Sequence, residues 1–104
     1  MKLNVVDRLL ILNLLPAEAT FANLKILRLV KEALSFSEKE HKELQFKQEG
    51  EQTTWSPTAK VPDKEVKIGE IVTQMIVKKL KEMNEEGKGT EEYLNLYEIF
   101  IEKL

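Results

Sequence analysis

The stretch Ser37–Trp55, SEKEHKELQFKQEGEQTTW, changes its period in the middle, and that change decides the fold class. Ser37 is followed three positions later by Glu40, the pairing in which each side chain satisfies the other residue's backbone amide at a helix start. A short third helix is predicted from here to about Leu44. Beyond it Leu44, Phe46 and Gln48 alternate with Gln45 and Lys47, while Thr53, Thr54 and Trp55 are strand formers. Gly50, between Glu49 and Glu51, supplies the turn. The reading is a β-hairpin with arms at about 44–48 and 51–55.

Two helices precede this stretch. Asn4 can cap the first, predicted over 5–15, with Asp7 three residues later. Val6, Leu9, Leu10, Asn13 and Leu14 follow helical spacing, and Ile11, Leu12 and Leu15 widen the apolar face. Pro16 stops it, because the residue before a proline disfavours helical geometry. Thr20 caps the second, predicted over 21–34, with Phe21, Leu24, Leu27 and Leu34 on one face and Ile26 and Val30 nearby.

C-terminal to the hairpin, residues 56–64 with Pro57 and Pro62 read as a loop, and 65–68 as a third short strand or extended lead-in. A long helix follows over about 69–86. Its seam is Ile68, Val72, Met75, Ile76, Lys79, Leu80 and Met83, and Gly87 is its C-cap. Thr90 caps the last helix, whose stripe is Tyr93, Leu94, Tyr97, Phe100, Ile101 and Leu104. The expected fold is α+β and mainly α, with four to five helices and one hairpin after the third. The expected organisation is a single domain over 1–104: three helices plus hairpin (1–55), connection (56–68) and antiparallel helix pair (69–104).

The chain has 104 residues, 16 basic and 18 acidic, for a net charge of −2. Residues 1–59 carry eight of each sign, so the excess acid lies in 60–104. Neither half is basic, although contacts to phosphate dominate nucleic-acid affinity. There is no cysteine, hence no disulfide or thiolate chemistry. No apolar run reaches a membrane span and no signal peptide is visible, so a cytoplasmic protein is expected.

Catalytic patterns are not found. His41 is the single histidine and stands between Glu40 and Lys42, without a second histidine for a zinc site. Ser35, Ser37 and Ser56 lack nucleophile-elbow flanks. Glycines 50, 69, 87 and 89 make no phosphate-binding loop. Aligning Gly87 with the invariant glycine of a calcium loop over 82–93 puts Tyr93 where a bidentate glutamate is required. No enzyme, metal or cofactor is therefore expected.

Three helices and a hairpin is also the order of winged helix-turn-helix domains, in which the third helix enters the major groove. Between Ser37 and Trp55, however, Lys39, Lys42 and Lys47 face five acids: Glu38, Glu40, Glu43, Glu49 and Glu51. That balance disfavours DNA. Trp55, next to Ser56-Pro57, caps the core under the loop as the default reading; alternatively Phe46 and Trp55, rimmed by Glu49 and Glu51, are the candidate contact with a protein partner, since tryptophan is enriched at binding hot spots. The stripe Tyr97, Phe100, Ile101 and Leu104 either packs within the chain or is a candidate homodimer face.

The stretches Leu14-Leu15-Pro16, Phe21 through Leu24-Lys25, Leu34-Ser35-Phe36-Ser37 and Gly87 through Thr90-Glu91-Glu92 with Leu96-Tyr97-Glu98 resemble small bacteriophage and prophage proteins of unassigned function, especially from Gram-positive hosts. The resemblance spans most of the chain. That family has no established activity, so it assigns no functional residues. It implies a phage product in the host cytoplasm that binds a host or phage macromolecule. The expected function is a non-enzymatic interaction protein that modulates or inhibits its partner. The alternatives are a winged-helix DNA-binding regulator or replication accessory factor, and an oligomer that sequesters a small ligand.

Overall fold

The computed structural model describes residues 1–50, 52–56 and 58–102; Glu51, Pro57 and Leu104 of the expectations above lie outside them. The elements in chain order are β1 (Lys2–Leu3), α1 (Val5–Leu14), α2 (Phe21–Leu34), α3 (Glu38–Leu44), β2 (Lys47–Glu49), β3 (Gln52–Thr54), β4 (Lys64–Glu65), α4 (Glu70–Glu85) and α5 (Glu91–Tyr97). A π-helical segment, Glu98–Glu102, continues α5. The mainly helical α+β architecture and the hairpin after α3 are as expected.

The helix starts follow from side chains that occupy free amides. The Asn4 side chain accepts the Asp7 amide at 2.8 Å, and Asp7 accepts the Asn4 amide in return. Ser37 and Glu40 make the same reciprocal pair at α3. Thr20 accepts the Asn23 amide at 3.2 Å. Thr90 occupies the N-cap position of α5, but its side chain makes no capping bond. Gly87, at φ 65°, ends α4 in a left-handed turn. There the Lys88 amide donates to Met83 O and the Gly87 amide to Asn84 O, which satisfies the last carbonyls of the helix.

α1, α2 and α4 pack on one another, and the π segment closes over α4. Ile11, Leu27, Leu34, Val72, Ile76, Leu80, Leu96 and Phe100 form the centre of one continuous core. Three expected faces are rotated. α1 buries Asp7, Arg8, Leu10, Ile11 and Leu14, leaving Val6 and Asn13 exposed. α2 buries Leu27, Val30 and Leu34, and Phe21 points to solvent. In the last helix Leu96 and Phe100 are the buried pair, while Leu94 is exposed. The physical cause is the same in each case: a wide apolar face offers several orientations, and the neighbouring helix selects among them.

The strands form two separate two-stranded antiparallel sheets. β2 and β3 make the hairpin, with Lys47 opposite Thr54 and Glu49 opposite Gln52. Its first arm begins later than expected, because Leu44 completes α3 and Gln45 reverses the chain at φ 51°. The second sheet pairs Lys2 with Glu65 and Leu3 with Lys64. This confirms a strand at the start of the 65–68 region and adds a partner, β1, that sequence did not suggest. The Met1 ammonium reaches Glu65 Oε1 at 2.6 Å and holds that carboxyl below its ordinary pKa.

Candidate functional site

Arg8 is the cation that interrupts the apolar run of α1, and it is completely buried. A guanidinium has five N–H donors in a fixed fork, so burial is tolerable only where acceptors surround it. The fold provides them from two elements. Arg8 Nε donates to Leu34 O at 3.1 Å, and Nη2 donates to Ser35 O. These carbonyls end α2, where the helix dipole favours a cation. Nη1 donates to Glu40 Oε2 at 2.6 Å, and Nη2 also reaches Glu40 Oε1 at 3.2 Å. Glu40 is the capping-box acid of α3. One side chain of α1 therefore fastens the end of α2 to the start of α3.

The Glu40 carboxyl is lowered from its ordinary 4.5 to about 2, chiefly by the Arg8 hydrogen bond. The capping bond from Ser37 acts in the same direction and partial burial opposes both. The unfolded chain has the higher pKa, so it binds the proton more readily. The stabilisation is complete above about pH 4.5 and is lost as pH falls through the range toward 2. Acid titration of stability should show this limb in the wild type and lose it in Glu40→Gln, measured as the urea midpoint against pH.

The guanidinium carbon lies 3.9 Å from the Phe36 ring centroid, a cation–π contact made inside the protein. From Phe36 the aromatic side chains continue outward. Phe36 meets Phe46 edge to face at 5.0 Å and His41 at 6.1 Å; His41 meets Phe46 at 5.6 Å. Phe46 then meets Trp55 at 6.2 Å. Such edge contacts fix ring orientation beyond what area burial alone achieves. Phe36, Phe46 and Trp55 are each half-buried and His41 is exposed, so the cluster forms an aromatic ridge with one side in solvent. The Ser56 amide donates to Leu44 O at 2.7 Å and ties the end of the hairpin back to α3.

The two predicted contact residues Phe46 and Trp55 are thus brought together, with Phe36 and His41 added. Glu49 is exposed on β2, and Glu51 lies outside the described residues. Arg8 was the residue that sequence reasoning missed. Its one signal is a lone cation at position 8, on the same helical face as Ile11 and Leu15.

The candidate homodimer face is divided. Phe100 is 1% exposed and belongs to the core, so at this position the stripe packs within the chain. Phe100 stands four residues after buried Leu96, on the same side of the helix, and packs with it in the core. Tyr97 lines a cleft of about 340 Å³ between α4 and α5. Ile101 lines a different depression on another face of α4, beside Lys78, Lys81, Glu82 and Glu85. Leu104 lies outside the described residues.

α5 is anchored to α1 rather than lying flush on α4. Asn95 Nδ2 donates to Asp7 Oδ1 at 3.4 Å. Burial raises the Tyr93 phenol above the ordinary value of 10.0. Among the described residues no three His, Cys, Asp or Glu side chains are grouped to hold a metal ion. No described helix is long and apolar enough to cross a membrane. Comparison of the chain with protein-family models, with curated proteins and with solved structures returned no match.

Proposed function

We propose that this protein is a non-enzymatic binding module. Its contact surface is the aromatic ridge Phe36–His41–Phe46–Trp55, and its partner is a host or phage protein in the cytoplasm that it modulates or inhibits. The observation that carries this reading is the ridge itself. Its aromatic side chains are half-buried or exposed, yet held in fixed mutual orientation on a buried guanidinium. Rigid aromatic anchors lose little conformational entropy on binding and dominate the energetics of interfaces. The two buried ionisable groups among the described residues, Asp7 and Arg8, are both engaged in holding helices together.

The charges beside the ridge are more even than the sequence count implies. Arg8 neutralises Glu40 internally, leaving Lys39, Lys42 and Lys47 against Glu38, Glu43, Glu49 and Glu51 in the sequence, a net charge of −1 rather than −2. This reduces the repulsion a phosphate backbone would meet, so the winged-helix alternative is tested alongside. Immobilised wild-type protein is expected to retain one stoichiometric protein from infected-cell extract. Trp55→Ala should weaken that complex by about thirty-fold or more, the level of a hot-spot residue. Retention unaffected by both Trp55→Ala and Phe46→Ser would sink the proposal. So would a low-salt mobility shift of duplex DNA that depends on Lys39 and Lys42.

A further inference from the structure

We propose that the chain associates with a second copy of itself, the basic outer face of α2 docking into the acid-rimmed cleft between α4 and α5. This contact is separate from the aromatic ridge and stands whether or not the ridge binds a partner.

The docking face is the part of α2 that the core does not use. Phe21 is 85% exposed and Leu29 is 67% exposed, the most solvent-accessible large apolar side chains among the described residues. With exposed Lys25 midway between them, they make a row at four-residue spacing, so all three lie along one side of the helix. α2 carries Lys25, Arg28 and Lys31 against a single acid, Glu32, for a net charge of +2. An apolar row flanked by cations is therefore presented to solvent.

The cleft has the opposite character. Its floor is apolar, formed by Leu80, Met83, Tyr93, Leu94 and Tyr97. Glu91 and Glu102 stand at its lining, and among the described residues no lysine or arginine does. The segment 91–102 holds four glutamates and no lysine or arginine. Lys88, in the turn leading into α5, is engaged with Glu86 at 3.2 Å. A volume of about 340 Å³ is too small to enclose a helix but has room for projecting side chains. Methionine and tyrosine are the lining that adapts best to an aromatic ring. Phe21 and Leu29 supply those projecting groups, and the α2 cations meet the glutamates.

Each copy thus carries both the knob and the cleft, so the contact is between unlike surfaces. It closes as a dimer when two such contacts form reciprocally. Sedimentation velocity on the wild type over rising concentration should show the mass climbing from 12.1 kDa toward twice that value. The association should weaken in high salt. Phe21→Ser removes the knob and Leu94→Lys spoils the cleft. Both positions are exposed, so circular dichroism should show both variants folded. Each variant alone should remain monomeric at concentrations where the wild type associates. Mixed together they should form a heterodimer, because one keeps the cleft and the other keeps the knob. A wild type that stays at 12.1 kDa throughout would overturn the proposal. So would a Phe21→Ser variant that associates as well as the wild type. A lysine-rich amphipathic peptide that shifts cleft NMR signals in a strictly monomeric wild type would also overturn it, in favour of a foreign basic partner.

Discussion

Arg8→Ala should destabilise the fold by about 3 kcal/mol or more, toward the range found when one partner of a buried ion pair is removed. The substitution strips the acceptors Leu34 O, Ser35 O and Glu40 of their donor and empties the space under Phe36. Water can reach the Glu40 side chain, which is 20% exposed, and this tempers the loss. A domain of this size has about 5–15 kcal/mol in total, so the variant would be close to unfolding. Arg8→Lys keeps the charge but not the planar fork, and should recover only part of the loss. Urea denaturation read by circular dichroism measures the global effect. Trp55 fluorescence reads the far end of the aromatic ridge, and it should change at lower urea than the helical signal. Coincident transitions would show that Arg8 supports the whole fold equally rather than α3 and the hairpin in particular.

The second large effect is expected at Phe100. Phe100→Ala should cost about 3–5 kcal/mol, the usual loss when a buried aromatic side chain is truncated and its cavity cannot collapse. The ring is 1% exposed and packs in the same core as Leu96 and Leu80. Leu94→Ala, on the neighbouring turn of α5 but exposed, should cost less than about 1 kcal/mol. The two variants therefore separate by several kilocalories in chemical denaturation. Equal, small losses would show that Phe100 does not support the core.

What could be read in advance depended on whether a feature is local. The limits of α1, α2 and α3 lie close to where Asn4, Pro16, Thr20 and Ser37 put them, because capping acts within one turn. Gly87 ended α4 for the same reason. The hairpin was legible from the change of period around Gly50. Non-local features left little trace. The β1–β4 ladder is two residues long on each side, too short for any alternation to register. Arg8 and Glu40 are thirty-two positions apart, and nothing in either neighbourhood marks them as partners. The rotation of α1 and the inward turn of Phe100 were both set by neighbouring elements. Of the candidate site, Phe46 and Trp55 were visible as aromatics outside the helical seams. Their seating on Phe36 and Arg8 was not.

The pairing of Lys2–Leu3 with Lys64–Glu65 bears on the order in which a ribosome delivers the protein. β1 has no mate until some sixty further residues have followed. α1 also packs on α4, which is made later still. A nascent chain stalled after the hairpin would therefore hold α1 with much of its apolar face bare. Such a truncated product would be a ready client for holdase chaperones.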